Sequence, residues 1–181
     1  MRTLVLYQSQ NGSTAKYAKD LAERVGAEVF PLKKFKLKKA PEYDTIVFFG
    51  WVMGGNIQGL NNFLTVWDDI SEKNVIVVGV GMSIPTPEGR RTLIEQNVLD
   101  IYHIRFYQMQ GSFDMQKLKF PYSFLMKNTL RQIENDPEST QKAVLTIRDH
   151  PLEVYDHAKM DRLVEVINGL SIQEVHFEEK A

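Results

Sequence analysis

A chain of 181 residues, 43% hydrophobic and 10% aromatic, can bury one sizeable core, so residues 1–181 are expected to form a single domain. Its net charge of −1 excludes a global basic field for nucleic acid and a strongly acidic surface alike. With no cysteine there are no disulfides, zinc–thiolate sites, iron–sulfur clusters or thiol redox chemistry. The first residues read as a strand and not as a signal-peptide pattern, and no apolar stretch reaches the length of a membrane span. A cytoplasmic protein is expected, with any membrane contact peripheral and on the inner face.

Thr3 to Tyr7 is an uninterrupted apolar and β-branched run, as a strand covered on both faces requires. It leads through Ser9, Gln10, Asn11, Gly12, Ser13 and Thr14 into a helical pattern of Ala15, Ala18, Leu21, Ala22 and Val25, with Gly26 as its stop. A loop of hydroxyls, an amide and a glycine at a helix start suits a phosphate; it equally suits an ordinary polar turn with a Ser or Thr cap. A short second strand follows at Glu28 to Leu32. Five lysines (Lys33, Lys34, Lys36, Lys38, Lys39) then interleave with Phe35 and Leu37, a run most simply read as a solvated surface.

Thr45 to Gly50 and Val75 to Val80 are buried strands, and Ile104 to Gln110 is a fifth. Between them the pattern predicts helices over Leu60 to Ile70 and Pro87 to Tyr102, the second opened by Thr86 as N-cap and Pro87 at the first helical position. The connection from Gly111 to Ala158 is long enough to carry structure of its own. Residues 116 to 134 present a helical apolar stripe within it, and a last helix is expected from Lys159 to Asn168, stopped by Gly169. Alternating strands and helices imply an α/β fold, an open doubly wound five-stranded parallel sheet with a mostly helical insertion after the fifth strand.

Ligands of such sheets bind beyond the carboxyl ends of the strands. The loops there, Ser9 to Thr14, Gly50 to Gly59 and Gly81 to Thr86, contain no charged residue. Acid–base or phosphoryl-transfer chemistry needs a base, a nucleophile or a charge clamp, so these loops suit a planar cofactor that carries the chemistry itself. Other readings are weak. Gly79-Val80-Gly81 with Asp100 has the start of a dinucleotide fingerprint, but Ile84 stands at the third glycine. An aspartate-phosphorylated receiver domain needs acidic residues where Gln8, Ser9, Gly50 and Trp51 stand. His103, His150, His157 and His176 lack zinc-site spacing, so no metal site is expected.

The chain resembles the flavodoxin-like family, whose FMN phosphate loop, Ser/Thr-x-Thr/Asn/Asp-Gly-x-Thr, reads here as Ser9, Gln10, Asn11, Gly12, Ser13 and Thr14. The resemblance implies strand order 2-1-3-4-5, FMN as cofactor, and its phosphate on those six residues. It places Trp51, Val52, Met53 and Gly54 against the isoalloxazine ring, with Trp51 as the stacking aromatic unless that tryptophan simply closes the core. Gly81, Met82 and Ser83 fall at the ring's other edge, where the aromatic common in the family is missing.

The segment GSFDMQKLKFPYSFLMKNTLRQIENDPEST is similar in layout to the insertion of flavodoxin-like protoporphyrinogen dehydrogenases. That branch implies an FMN-dependent oxidoreductase that accepts electrons from a bound reductant and passes them to a quinone or another acceptor. The alternatives are a flavodoxin-type electron carrier without a small-molecule substrate, and a binding module without FMN. Lys117, Lys119 and Lys127 around Phe120, Tyr122 and Phe124 offer docking to an acidic partner, an anionic membrane or a substrate's carboxylates.

Overall fold

The structure, a computed structural model, describes residues 1–137 and 142–178. Residues 138–141 of the insertion lie outside them. Strand β1 (Thr3–Gln8) pairs in parallel with β2 (Glu28–Pro31) on one side and β3 (Thr45–Met53) on the other. A two-residue strand β4 (Asn56–Ile57) folds back antiparallel on β3. Strands β5 (Asn74–Gly81) and β6 (Arg105–Phe113) continue the parallel sheet, and β7 (Leu152–Tyr155) closes its edge antiparallel to β6. The order is β2-β1-β3-β5-β6-β7, with β4 off this path.

The sheet is therefore α/β as expected, but the five-stranded, wholly parallel sheet is corrected to a seven-stranded mixed one. Two causes are local. Gly54 and Gly55, both at positive φ (56° and 79°), make a tight hairpin of what the sequence suggested was a plain loop. The segment LEVY is too short to stand out in a polar stretch, and it becomes a strand only because β6 runs on through Phe113 to meet it.

Alternation along each strand divides the core between the two faces of the sheet. Leu4, Leu6, Ile46, Phe48, Val75 and Val77 pack with Leu60, Phe63, Ile70, Leu93 and Leu99. Val5, Val47, Phe49, Ile76 and Val78 pack on the other face against Tyr17, Ala18, Leu21, Met160, Leu163 and Ile167. The second set comes from α1 (Ser13–Val25) and α6 (His157–Glu178).

Several helices differ from their sequence patterns for identifiable reasons. Leu60 to Ile70 is not one helix: α2 (Leu60–Phe63) and α3 (Trp67–Ile70) flank a 3-10 turn, where the Thr65 hydroxyl donates to the Asn62 carbonyl and Val66 leaves helical geometry. Helix α4 (Pro87–Gln96) starts as expected, with Thr86 Oγ1 accepting from Gly89 N–H at 3.0 Å, but stops short of Tyr102. The Asn97 side chain takes the Leu93 carbonyl and Val98 turns to φ 51°. In the insertion, a 3-10 turn at Met115–Lys117 precedes α5 (Tyr122–Asn135), because Pro121 keeps Phe120 out of the helix. Helix α6 continues through Gly169, whose φ is not left-handed, so this glycine is not the stop the sequence suggested.

Lys33, Lys34, Lys38 and Lys39 are exposed on two 3-10 turns and Lys36 is exposed between them, while Phe35 and Leu37 pack on the core. No helix among the described residues is long and apolar enough to cross a membrane.

Two fasteners hold the edge of the sheet around the strand ends. Asn97, 8% exposed, clasps the β3–β4 hairpin: Oδ1 accepts from Ile57 N–H at 2.9 Å, while Nδ2 donates to the Gly55 and Leu93 carbonyls, both at 2.8 Å. The second is a tyrosine pair. Tyr17 and Tyr155 stack with centroids 4.4 Å apart; Tyr17 Oη donates to the Gln110 carbonyl at 2.6 Å and accepts from Asp156 N–H, and Tyr155 Oη donates to Asp20.

Asn97→Ala leaves the Ile57 N–H and the Gly55 carbonyl without the side-chain partner, while the Leu93 carbonyl keeps the Asn97 N–H, and is expected to cost about 2–3 kcal/mol in urea unfolding. The tyrosines predict a pH dependence. Burial, and for Tyr155 the hydrogen bond to Asp20, pushes both phenols above their ordinary value. The fold favours their neutral forms, so this stability is fully present below the unfolded tyrosine pKa of about 10 and is lost as pH rises through the folded values. The melting temperature is therefore expected to fall more steeply above pH ~10 in the wild type than in Tyr155→Phe.

Candidate functional site

The carboxyl ends of β1, β3, β5 and β6 surround a cavity of about 380 Å³, a volume typical of small-ligand sites. It is built from the first turn of α1 upward. Gly12 occupies the N-cap at φ 92°, where a side chain would be strained, and no side chain caps the helix. The opening N–H groups of α1 therefore have no intrahelical or side-chain partner, the arrangement that attracts an anion. Ser9 Oγ instead braces the loop by accepting from Gly12 N–H at 3.2 Å.

Eleven of the thirteen residues expected at the site line this cavity: Gln10, Asn11, Ser13 and Thr14 from the first loop, Trp51, Val52, Met53 and Gly54 from the second, and Gly81, Met82 and Ser83 from the third. Ser9 does not line it. Gly12 faces an adjoining, more polar cavity of about 540 Å³ together with Lys16, Lys117 and Glu153. Asn11 and Ser13 line both, so the start of α1 stands between an uncharged chamber and a charged one. Trp51 does not close the core: it is half-buried in the cavity wall, edge-on to Tyr122 with centroids 5.0 Å apart.

Every residue lining the apolar chamber is uncharged. Two of its side chains carry the chemical signal. Asn11 Oδ1 and Gln108 Oε1 are buried and have no hydrogen-bond partner among the described residues. Buried amides are almost always paired, and a half-turn of either one offers an N–H in place of the oxygen, so the pair suits a ligand that has both donors and acceptors along one edge. A flavin's polar rim is of that kind, and a phosphate suits the open helix end. The donor set present therefore fits FMN. Among the described residues no cluster of side chains could hold a metal ion.

Gln108, Gly111, Ser112, Phe113, Leu118 and Met126 also line the cavity, and sequence reasoning missed them. Gly111, Ser112 and Phe113 enter because β6 extends beyond its apolar stretch, whereas Gln108 lies within that stretch and Leu118 and Met126 come from the insertion after it. A Cβ on Gly111 would lie 2.5 Å from Val80 Cγ1 and 2.7 Å from Ser13 Oγ, so only glycine lets β6 approach α1 so closely. Ser112 N–H then donates to Ser13 Oγ at 3.0 Å, which leaves the Ser13 hydroxyl hydrogen free to turn toward a ligand. The available signal was a glycine and a serine directly following IRFYQMQ, at the same strand-end level as Gly12, Gly54 and Gly81. From the third loop, the Met82 carbonyl is held by Gln110 Nε2 at 2.9 Å.

Among solved structures, the chain is similar to oxidised flavodoxin 1 of Bacillus cereus, at 16% identity over 70% of this chain and 98% of that one, with a TM-score of 0.48. It is similar to oxidised flavodoxin 2 of the same organism, at 17% identity over 61% and 85%, TM-score 0.47. The Trp repressor binding protein of Bacillus subtilis gives 16% identity over 61% and 85%, TM-score 0.48. These scores are too low to add weight to a sequence match. No curated protein matches the chain. The family comparison is decisive: the flavodoxin domain family matches residues 4–141, well over half of the sequence and all three strand-end loops. The chain belongs to the flavodoxin family.

Proposed function

We propose that the protein binds FMN and works as an electron-transfer flavoprotein. The observation that carries this reading is the pair of buried, unpartnered amide oxygens, Asn11 Oδ1 and Gln108 Oε1, on residues lining an uncharged cavity beside an uncapped helix start. Ser9 to Thr14 would hold the phosphate, with N–H groups of the loop and hydroxyls of Ser13 and Thr14 as donors. Trp51 to Gly54 and Gly81 to Ser83 would hold the ring between them. Bound there, FMN supplies the chemistry, taking up and giving away electrons one or two at a time.

The chain's own contribution is binding and electrostatics. With no charge in the chamber wall, a negative charge developing on the ring has no cation to stabilise it, which favours the oxidised ring over the reduced one. The Asn97 clasp fixes the hairpin carrying Met53 and Gly54, and Gln110 fixes the loop carrying Met82.

A second reading, an oxidoreductase that binds its reductant in the same cavity and passes electrons to a quinone or similar acceptor, is favoured by one observation. The insertion roofs the chamber with Leu118 and Met126 and braces Trp51 through Tyr122. A carrier needs no such roof, whereas a small substrate needs a wall opposite the ring. Protoporphyrinogen is the reductant that the layout of this insertion suggests.

FMN added to the purified protein is expected to lose its fluorescence on binding, with flavin absorption retained after desalting. Thr14, 2% exposed in the cavity wall, offers the sharpest variant. Thr14→Val keeps its shape and is expected to weaken FMN about tenfold, the loss of one hydrogen bond to a charged group; unchanged affinity would place the phosphate elsewhere. Anaerobic reduction of the loaded protein separates the readings. Reduction by protoporphyrinogen, with reoxidation by a quinone, supports the enzyme, and reduction by a flavodoxin reductase alone supports the carrier.

A further inference from the structure

Helix α5 and the segment leading into it have two faces with different tasks. The inner one is accounted for, since Leu130 and Ile133 are buried, Met126 lines the cavity and Tyr122 meets Trp51. The outer one begins with Phe120, 82% exposed, followed by Phe124 at 57% and Leu125 at 45%. Aromatic side chains this exposed contribute nothing to the fold, and a cluster of them marks a contact surface.

The same face is cationic. Lys117, Lys119, Lys127 and Arg131 are all exposed, and no acidic residue occurs between Met115 and Ile133. Lys117 pairs with Asp114 at 3.4 Å and Glu134 lies near Arg131, which leaves a local surplus of positive charge on a chain whose net charge is −1. Charges farther away than a Debye length of about 8 Å are screened, so the local surplus is what a partner meets.

We infer that this face docks the protein on an anionic lipid bilayer. An apolar tip at the first turn of a helix, with lysines on the preceding segment and on the following turns, is the arrangement an interface rewards. Phe120, Phe124 and Leu125 enter the acyl boundary while Lys119, Lys127 and Arg131 meet lipid phosphates. An acidic protein would satisfy the cations but would also need a pocket for a phenylalanine that projects almost completely. Docking stands on this surface alone and does not depend on FMN. Its consequence does rest on the proposed function: Leu118 and Met126 of the same segment wall the cavity, so docking brings that wall to the bilayer, where an electron donor or acceptor dissolved in lipid can reach it.

The test is co-sedimentation of the full chain with vesicles of phosphatidylcholine alone and of phosphatidylcholine with phosphatidylglycerol, with and without FMN. Expected is binding to the anionic vesicles only, weakened by high salt. Phe120→Ser with Phe124→Ser, and separately Lys119→Glu with Lys127→Glu, should each weaken it about tenfold or more. Both pairs are exposed, so the melting temperature should stay unchanged. No binding to anionic vesicles, equal binding to both kinds, or full binding by either double variant overturns the inference. So does a dimer in solution that the phenylalanine pair abolishes without vesicle binding, which assigns the face to a second copy. Vesicle binding by a protein that fails to take up FMN would sink the cofactor reading and leave this one standing.

Discussion

The first turn of α1 is the point on which the site depends. A parallel strand buried on both faces has to hand the chain to a helix at its carboxyl end within a few residues, and here the turn is made with Gly12 at φ 92° and no capping side chain. That leaves the helix's opening N–H groups without partners in the fold. A serine or aspartate at the cap could accept from one of them, but it gains only a few tenths of a kcal/mol over glycine and would be strained at this φ. Its absence keeps the positive end of the helix available. Other elements are fastened to this turn and the next: Ser112 N–H to Ser13 Oγ, the Tyr17 hydroxyl to β6 and to the start of α6, and Lys16 over the ring of Tyr155. The unsatisfied end is thus held in place by neighbours that do not consume its donors.

The chamber beyond that turn is organised by exclusion of charge. Three loops and the end of β6 converge on it without a single ionisable group, while Lys16, Lys117, Asp114 and Glu153 line the adjoining cavity. A dianionic phosphate and a neutral aromatic ring want those two environments, and the α1 start touches both, together with Ser112 and Phe113 at the end of β6. The buried amide oxygens of Asn11 and Gln108 give the uncharged side its directionality.

What was legible in the sequence follows from how local each signal is. Strands β1, β3 and β5 are continuous apolar runs because both faces are covered, and no tertiary knowledge is needed to read them. The glycine-led start of α1 was legible because a strand end, a glycine and a helical pattern are sequential. The misread helices share one cause, competition by a side chain or backbone the pattern does not weigh: Thr65 bonding back to Asn62, Asn97 taking the Leu93 carbonyl, Pro121 restraining Phe120. Gly169 erred in the other direction, since packing of Leu163 and Ile167 carries α6 past a residue that ends other helices. Gln108, Gly111 and Ser112 were invisible because their role exists only after β6 has been laid beside α1.

The insertion sets two demands against each other. A carrier exchanges electrons by bringing the edge of its ring close to many partners, and every residue placed over the ring lengthens that approach. Here Leu118 and Met126 wall the chamber and Tyr122 sits against Trp51, so approach on that side is narrowed by a single segment. Yet this segment also projects Phe120 and Phe124 outward among lysines. Narrowing access and presenting a distinctive surface in one stretch of chain is a way to trade breadth of partners for choice of them. Selectivity then comes from what the outer face of α5 meets, because an uncharged chamber wall offers little with which to discriminate by charge.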